Sequence, residues 1–327
     1  MSKSHLFLTL CLAICCSWSA CSKDDEEFDE QRIKAYLQMD IPKSNVTPYW
    51  NNHPLPEGQR KLRVLAIGNS YTIDATAYVQ DILNACDLDT ATYSVYVASH
   101  SAATLRYWAE EALAGNRHEI VRFAGEKMAV TEGSLAELLA QDWDVITLQQ
   151  FSGDAIHYNT FNPWLRRLID FIHLNCRNQN VTLAWQMAWS YEEGFINNYS
   201  SYQRWLLIAK AVKDMTINDG VNVIIATGTA IQNARSTILN TIGEMTRDGS
   251  HLDFGIGRYV AACNWVQSLF APVYGISVLG NEALPFREND VEICYDSHPV
   301  TIDNRELAQR CAVAAVASPF AITTTEE

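Results

Sequence analysis

The sequence predicts an α/β domain: a mainly parallel five-stranded sheet sandwiched between layers of helices. Three observations carry this. Strand-like apolar runs recur five times, helix-like stretches separate them, and several of the runs are β-branched and almost continuously apolar. The last pattern belongs to strands buried on both faces, as in parallel sheets covered by helices.

The elements follow in order. The expected strands are 62–67 (Leu-Arg-Val-Leu-Ala-Ile), 93–98 (Tyr-Ser-Val-Tyr-Val-Ala), 143–148 (Trp-Asp-Val-Ile-Thr-Leu), 181–186 and 221–226 (Val-Asn-Val-Ile-Ile-Ala). Helical patterns are expected at about 75–86, 103–114, 132–140, 161–176, 199–217, 252–271 and 303–317. Repeated β-then-α units favour right-handed crossovers and a parallel sheet. In such sheets, ligands bind at the carboxyl ends of the strands.

Ahead of this domain, expected to span 61–327, the chain reads as an address and a linker. Residues 1–20 read as a signal peptide: a short basic start, then an apolar run from Leu6 to Cys16, too short to span a bilayer. The small residues before Cys21 resemble a bacterial lipoprotein cleavage site, which implies a lipid on Cys21; Trp18 departs from the usual aliphatic residue. An ordinary secretory signal is the alternative. The acidic run Ser22-Lys-Asp-Asp-Glu-Glu27 resembles the tag that directs Bacteroidetes lipoproteins to the outer face of the outer membrane, and also reads as a solvated linker. Residues 21–60, with Pro42, Pro48, Pro54 and Pro56, read as a tether.

With 24 Lys and Arg against 38 Asp and Glu, the formal charge is −14, and no basic cluster stands out. Nucleic acid is therefore not an expected partner. Five cysteines remain beyond Cys21, at 86, 176, 263, 294 and 311. Their wide spacing fits no metal site, so buried thiols with at most one disulfide are expected.

Two short motifs bracket the domain. Gly68-Asn69-Ser70 follows the first strand, where a strand-to-helix turn exposes a hydroxyl and leaves backbone N–H groups free for an oxyanion. The same tripeptide is also an ordinary turn. Asp248-Gly-Ser-His251 supplies a carboxylate and an imidazole three residues apart; a short loop lets the carboxylate hold Nδ1–H and leaves Nε2 to take a proton. The bland reading is a turn and a helix cap. After the third strand, Gln149 and Gln150 put amides at the ligand-binding end, as oxyanion donors or as braces for loop carbonyls.

Together these blocks resemble the SGNH (GDSL-like) hydrolases, and more specifically a Bacteroidetes-type branch with Leu148-Gln149-Gln150 in place of the third block. Gly228-Thr-Ala-Ile-Gln232-Asn233-Ala-Arg235 and the run from Asp248 to Gly257-Arg258-Tyr259 share that likeness, which covers roughly 61–320. The resemblance implies a flavodoxin-like sheet, a Ser-His-Asp mechanism and no metal or cofactor. It implies Ser70 as nucleophile, His251 as base and Asp248 as its orienting acid. The oxyanion donors implied are the N–H groups of Ser70 and Ala102, the latter at the family's usual glycine, with Gln149 ahead of Gln150 as the side-chain donor. An Ala there is expected to donate only at negative φ. Asp296-Ser-His298-Pro has the wrong Asp-to-His spacing and ranks below His251.

Substrate contacts are expected from Gln150, Trp185, Gln232, Asn233 and Arg235, with Trp189 and Tyr191 near the same cleft; aromatics of this size also serve as core. The expected function is a surface-exposed, lipid-anchored outer-membrane esterase removing small acyl groups, foremost acetyl, from glycans. If the lipoprotein reading fails, the protein is expected to face the periplasm or be secreted. The alternatives are a lipase or thioesterase of the same fold, or a non-catalytic glycan-binding lipoprotein.

Overall fold

The computed structural model describes residues 28–124, 127–196, 198–242, 245–285 and 298–323. Its centre is a seven-stranded sheet. The strands are β1 (Leu62–Gly68), β2 (Tyr93–Ser99), β3 (Arg117–Ala124), β4 (Lys127–Ser134), β5 (Val145–Leu148), β6 (Thr182–Gln186) and β7 (Val223–Ile225), in the spatial order β4-β3-β2-β1-β5-β6-β7. Strands β2-β1-β5-β6-β7 are parallel, with the doubly wound 2-1-3-4-5 order. These five occupy the expected segments.

The sheet is nevertheless mixed, which corrects the five-stranded expectation. Strands β3 and β4 form an antiparallel hairpin that pairs with β2. The segment 132–140, expected as helix, contributes its first residues to β4 and forms helix only over Leu135–Leu139. The physical reason is one-sided cover. In β3, His118 and Ile120 are buried while Arg117 and Glu119 are exposed. This is the alternation of an antiparallel strand covered on one face only.

The helices are α1 (Glu30–Leu37), α2 (Ser70–Thr76), α3 (Val79–Asn84), α4 (Leu105–Ala114), α5 (Leu135–Leu139), α6 (Trp164–Asn175), α7 (Ser201–Asp219), α8 (Thr227–Arg235), α9 (Ile256–Trp265) and α10 (Arg305–Ala317). On one side α9 packs against α2, α8 and α10; on the other α4 packs against α5 and α6. Trp143, Trp185, Trp189 and Trp265 are fully buried.

Residues 28–50 of the expected tether are laid against the domain, whereas 51–60 are almost all exposed. Ile33, Leu37 and Val46 are buried. The wholly buried Lys213 of α7 donates through Nζ to the carbonyls of Tyr36, Leu37 and Met39. These carbonyls lie at and just past the C-terminus of α1, the end of a helix that a cation suits. Asp144 accepts from the Tyr49 and Arg63 N–H groups, at 2.6 and 2.8 Å, pinning the segment to β1 and β5. The Cys21 and acidic-tag readings lie outside the described residues, as do Cys294 and Asp296. Cys86, Cys176 and Cys263 are free thiols.

Candidate active site

β1 ends at Gly68 because nothing larger fits: a Cβ there would sit 2.0 Å from Thr72 Oγ1 and 3.1 Å from the Gln149 amide carbon. Asn69 then caps α2. Its Oδ1 accepts the Tyr71 N–H at 3.0 Å, and its Nδ2 donates to the Ala103 carbonyl at 3.0 Å. Ser70 is thereby the first residue of α2, half-buried at the carboxyl end of the sheet.

The second half of the site is a closed loop. An isolated antiparallel bridge joins Thr246 to Leu252, and the Arg247 N–H donates to the His251 carbonyl at 2.9 Å. Gly249 turns the tip at φ +84°, with the Phe195 ring where a Cβ would stand. Asp248 Oδ1 accepts the N–H groups of Ser250 and His251 at 3.0 and 2.7 Å. Its Oδ2 lies 2.7 Å from His251 Nδ1, and His251 Nε2 lies 2.9 Å from Ser70 Oγ. Partial burial pulls the Asp248 carboxyl up. The hydrogen bond and charge of His251 and the two backbone N–H groups outweigh this and hold it well below the usual carboxylate range.

The loop is fastened on two sides. From the strand β6 side, Trp189 Nε1 donates to the Ser250 carbonyl at 2.7 Å, the Glu192 N–H donates to the Gly249 carbonyl at 2.9 Å, and Glu192 Oε1 accepts the Thr246 N–H at 3.0 Å. From α2, the buried Asp74 accepts from Arg247, Arg258 and the Leu252 N–H. The Tyr71 ring stacks on Trp189 at 3.9 Å and meets His251 edge-on at 5.8 Å. Burial pushes the Tyr71 phenol well up, so it stays neutral.

Three donors are uncommitted near Ser70. The Ser70 and Ala102 N–H groups have no hydrogen-bond partner among the described residues. Ala102 has φ +53°. It thus takes the left-handed conformation natural to glycine, and not the negative φ expected of a donating alanine here. Gln149 Nε2 commits one hydrogen to Asn69 Oδ1, leaving its second. Behind it runs a buried relay: Trp265 Nε1 donates to Gln186 Oε1 at 3.1 Å, and Gln186 Nε2 donates to Gln149 Oε1 at 2.8 Å.

The expected substrate contacts are placed elsewhere. Gln150 is consumed as a brace: Oε1 accepts the Leu105 and Phe151 N–H groups, and Nε2 donates to Thr160. Trp185 is core, stacked on Phe161 at 5.1 Å. Asn233 is fully buried, donating to the Cys311 carbonyl and accepting the Thr323 N–H. Gln232 and Arg235 bind Ser190 and Ser201, within α8 rather than at its opening. The sequence could not tell these residues from substrate contacts because the partners they brace come from distant segments. Trp189 and Tyr191 are buried too, whereas Phe195 over Gly249 is 47% exposed. His298 holds its backbone to Asp253 and Ile256 at the start of α9.

The sequence reading gave no role to Asp74 or Arg247, and held Arg258 only as part of the family-like run. An aspartate one helical turn after Ser70, on the same face of a short helix with no other charged residue, was the available signal. Taken together, the geometry offers a hydroxyl, an imidazole and a carboxylate in line, with donors beside the hydroxyl. Such a set can move a proton from a serine and stabilise an oxyanion.

Relatives bear on the fold. A DUF4886 family protein from Bacteroides uniformis has a solved structure that superposes with a TM-score of 0.66 at 26% identity, covering 81% of this chain and 98% of that one. A putative GDSL-like lipase from Parabacteroides merdae gives 0.45 at 11% identity over 69% of this chain and 98% of that chain. A catalytic mutant of an acetylxylan esterase from Geobacillus stearothermophilus gives 0.45 at 13% identity over 64% and 94%. Likeness as distant as the last two says nothing about activity. No curated protein matches the chain. The family model described as a domain of unknown function, DUF4886, matches residues 63–292, and the chain belongs to that family.

Proposed function

We propose that the protein is a serine hydrolase of carboxylic esters. The carrying observation is the continuous line from Ser70 Oγ through His251, at 2.9 Å, to Asp248, at 2.7 Å, at the carboxyl end of β1. Ser70 attacks the ester carbonyl as His251 Nε2 takes its proton. Asp248 holds the tautomer and offsets the imidazolium charge. The Ser70 and Ala102 N–H groups and the free Gln149 hydrogen receive the oxyanion. The imidazolium returns its proton to the leaving alkoxide, and water then releases the acyl group by the reverse sequence.

The substrate we propose is a small acyl ester, foremost acetyl, on a carbohydrate. The sequence resemblance supports this, as does the exposed Phe195 ring beside the His251 loop, a surface that suits the apolar face of a sugar. Anchoring through Cys21 at the outer membrane is part of the same proposal and rests on the N-terminal sequence. The first test is hydrolysis of p-nitrophenyl acetate by the protein and by Ser70→Ala. Turnover by the former alone, with both folded, supports the reading. Equal turnover by both sinks it. If neither turns over, failure of a fluorophosphonate probe to label Ser70 leaves the glycan-binding alternative.

A further inference from the structure

Asp74 is the most heavily engaged carboxylate in the described residues, and the triad does not use it. It sits on α2, one turn after Ser70, with its side chain 1% exposed. Arg258 of α9 donates to Oδ1 through Nε at 3.0 Å and Nη2 at 2.7 Å. Arg247 Nη1 lies 3.1 and 3.0 Å from the two oxygens, and the Leu252 N–H donates to Oδ2 at 3.0 Å. Arg247 and Leu252 flank the Asp248–His251 turn on either side, and Arg247 also donates to the Leu252 carbonyl. Both guanidinium groups lie 4.4 Å from the Phe254 ring centroid.

We propose that Asp74 is a positioning residue: it clamps the loop carrying His251 to the helix carrying Ser70 and sets the charge around the imidazole. The inference rests on the hydrolase reading above. Two facts support a role beyond stability. First, the clamp joins the two halves of the Ser70–His251 contact, whose length catalysis requires to within a few tenths of an ångström. Second, the cluster of one carboxylate and two guanidinium groups carries one net positive charge beside a base that must become positive. The other charged or titratable groups around His251 are Asp248 on its own loop, Asp253 beyond it, Tyr71 on α2 and Glu192 after β6.

The charge argument fixes opposite signs for two variants. Asp74→Asn leaves two uncompensated cations and disfavours the imidazolium. The acidic limb of kcat/KM should therefore move to lower pH, by about half a unit. Arg247→Gln removes a cation, and the limb should move up by a similar amount. Asp74→Asn should also lower kcat by roughly ten- to a hundredfold with KM nearly unchanged.

The experiment follows both variants by p-nitrophenyl acetate kinetics and by NMR titration of the His251 ring, assigned by its loss in His251→Asn. Circular dichroism confirms folding. Shifts of opposite sign support the proposal. A merely structural clamp would lower Tm without opposite shifts, and an unmoved His251 titration in the folded variants overturns the inference. If Asp74→Asn does not fold, the upward shift in Arg247→Gln decides. The NMR readout needs no turnover, so the clamp can fail in an active esterase, or stand where the hydrolase reading fails.

Discussion

Two polar systems meet at Ser70, and they are built from different materials. On the sheet side lies a neutral relay: Trp265, Gln186, Gln149, Asn69 and the Ala103 carbonyl, all linked by amide and indole donors. On the helix side lies an ionic clamp of Asp74, Arg247 and Arg258. The neutral relay ends beside the serine N–H, where negative charge would develop. Fixed dipoles stabilise such charge without shifting any proton equilibrium. The ionic clamp bonds the loop of His251, the proposed base, where a proton would come and go. Charges there set the proton equilibrium as well as the geometry. The contrast suggests that relay variants should alter rate alone, and clamp variants rate and pH profile together.

The largest break in this comparison is at the point the two systems share. Ser70→Ala should lower kcat by about 10⁴-fold or more while leaving the fold intact, as checked by p-nitrophenyl acetate turnover and circular dichroism. Asp248→Asn should come close behind, at roughly 10⁴-fold, through loss of the correct imidazole tautomer.

Asp248 also makes a pH prediction for stability. Its carboxyl is depressed in the folded protein, so its contribution is complete above the unfolded value of about 4 and is lost as pH falls toward the lower native value. Thermal unfolding of the wild type should therefore weaken below about pH 4 more steeply than that of Asp248→Asn.

A blow to the relay is smaller. Gln149→Leu removes the candidate amide donor and strands the Gln186 amide. It should lower kcat by roughly 10²- to 10³-fold and stability by about 1–3 kcal/mol, with the acidic limb unmoved. A displaced limb would erase the distinction between relay and clamp. The smallest effect is expected at Ala102→Gly. Relief of the left-handed alanine, about 1 kcal/mol, is offset by the freer unfolded chain, so Tm should change by no more than a few degrees and kcat/KM by less than about twofold.

The parallel core was legible because its strands carry continuous β-branched apolar runs, a signal that needs no knowledge of neighbours. The hairpin was not, because β3 alternates charge with apolar residues and so lacks the continuous apolar signal of a two-face-buried strand. The stretch from residue 28 onward looked like a linker because its few apolar contacts, Ile33 and Leu37 of α1 among them, have value only once α7 is beside them. The polar residues of α8 failed as substrate contacts for the same reason: Asn233 is spent on the Cys311 carbonyl, 78 positions away.

By itself, the sequence determined that Ser70 follows a buried strand and that Asp248 and His251 share one short turn, since strand periodicity and turn residues are local properties. Local too is the Asp248–His251 pairing, three residues apart across one glycine turn. Only the tertiary structure decided that this loop meets Ser70, 181 positions away, where Asp74 of α2 and Trp189 both hydrogen-bond to it. It alone decided that Ala102 takes a glycine's backbone, and which amides point inward. Such choices follow from packing and charge between distant segments, and no local pattern encodes them.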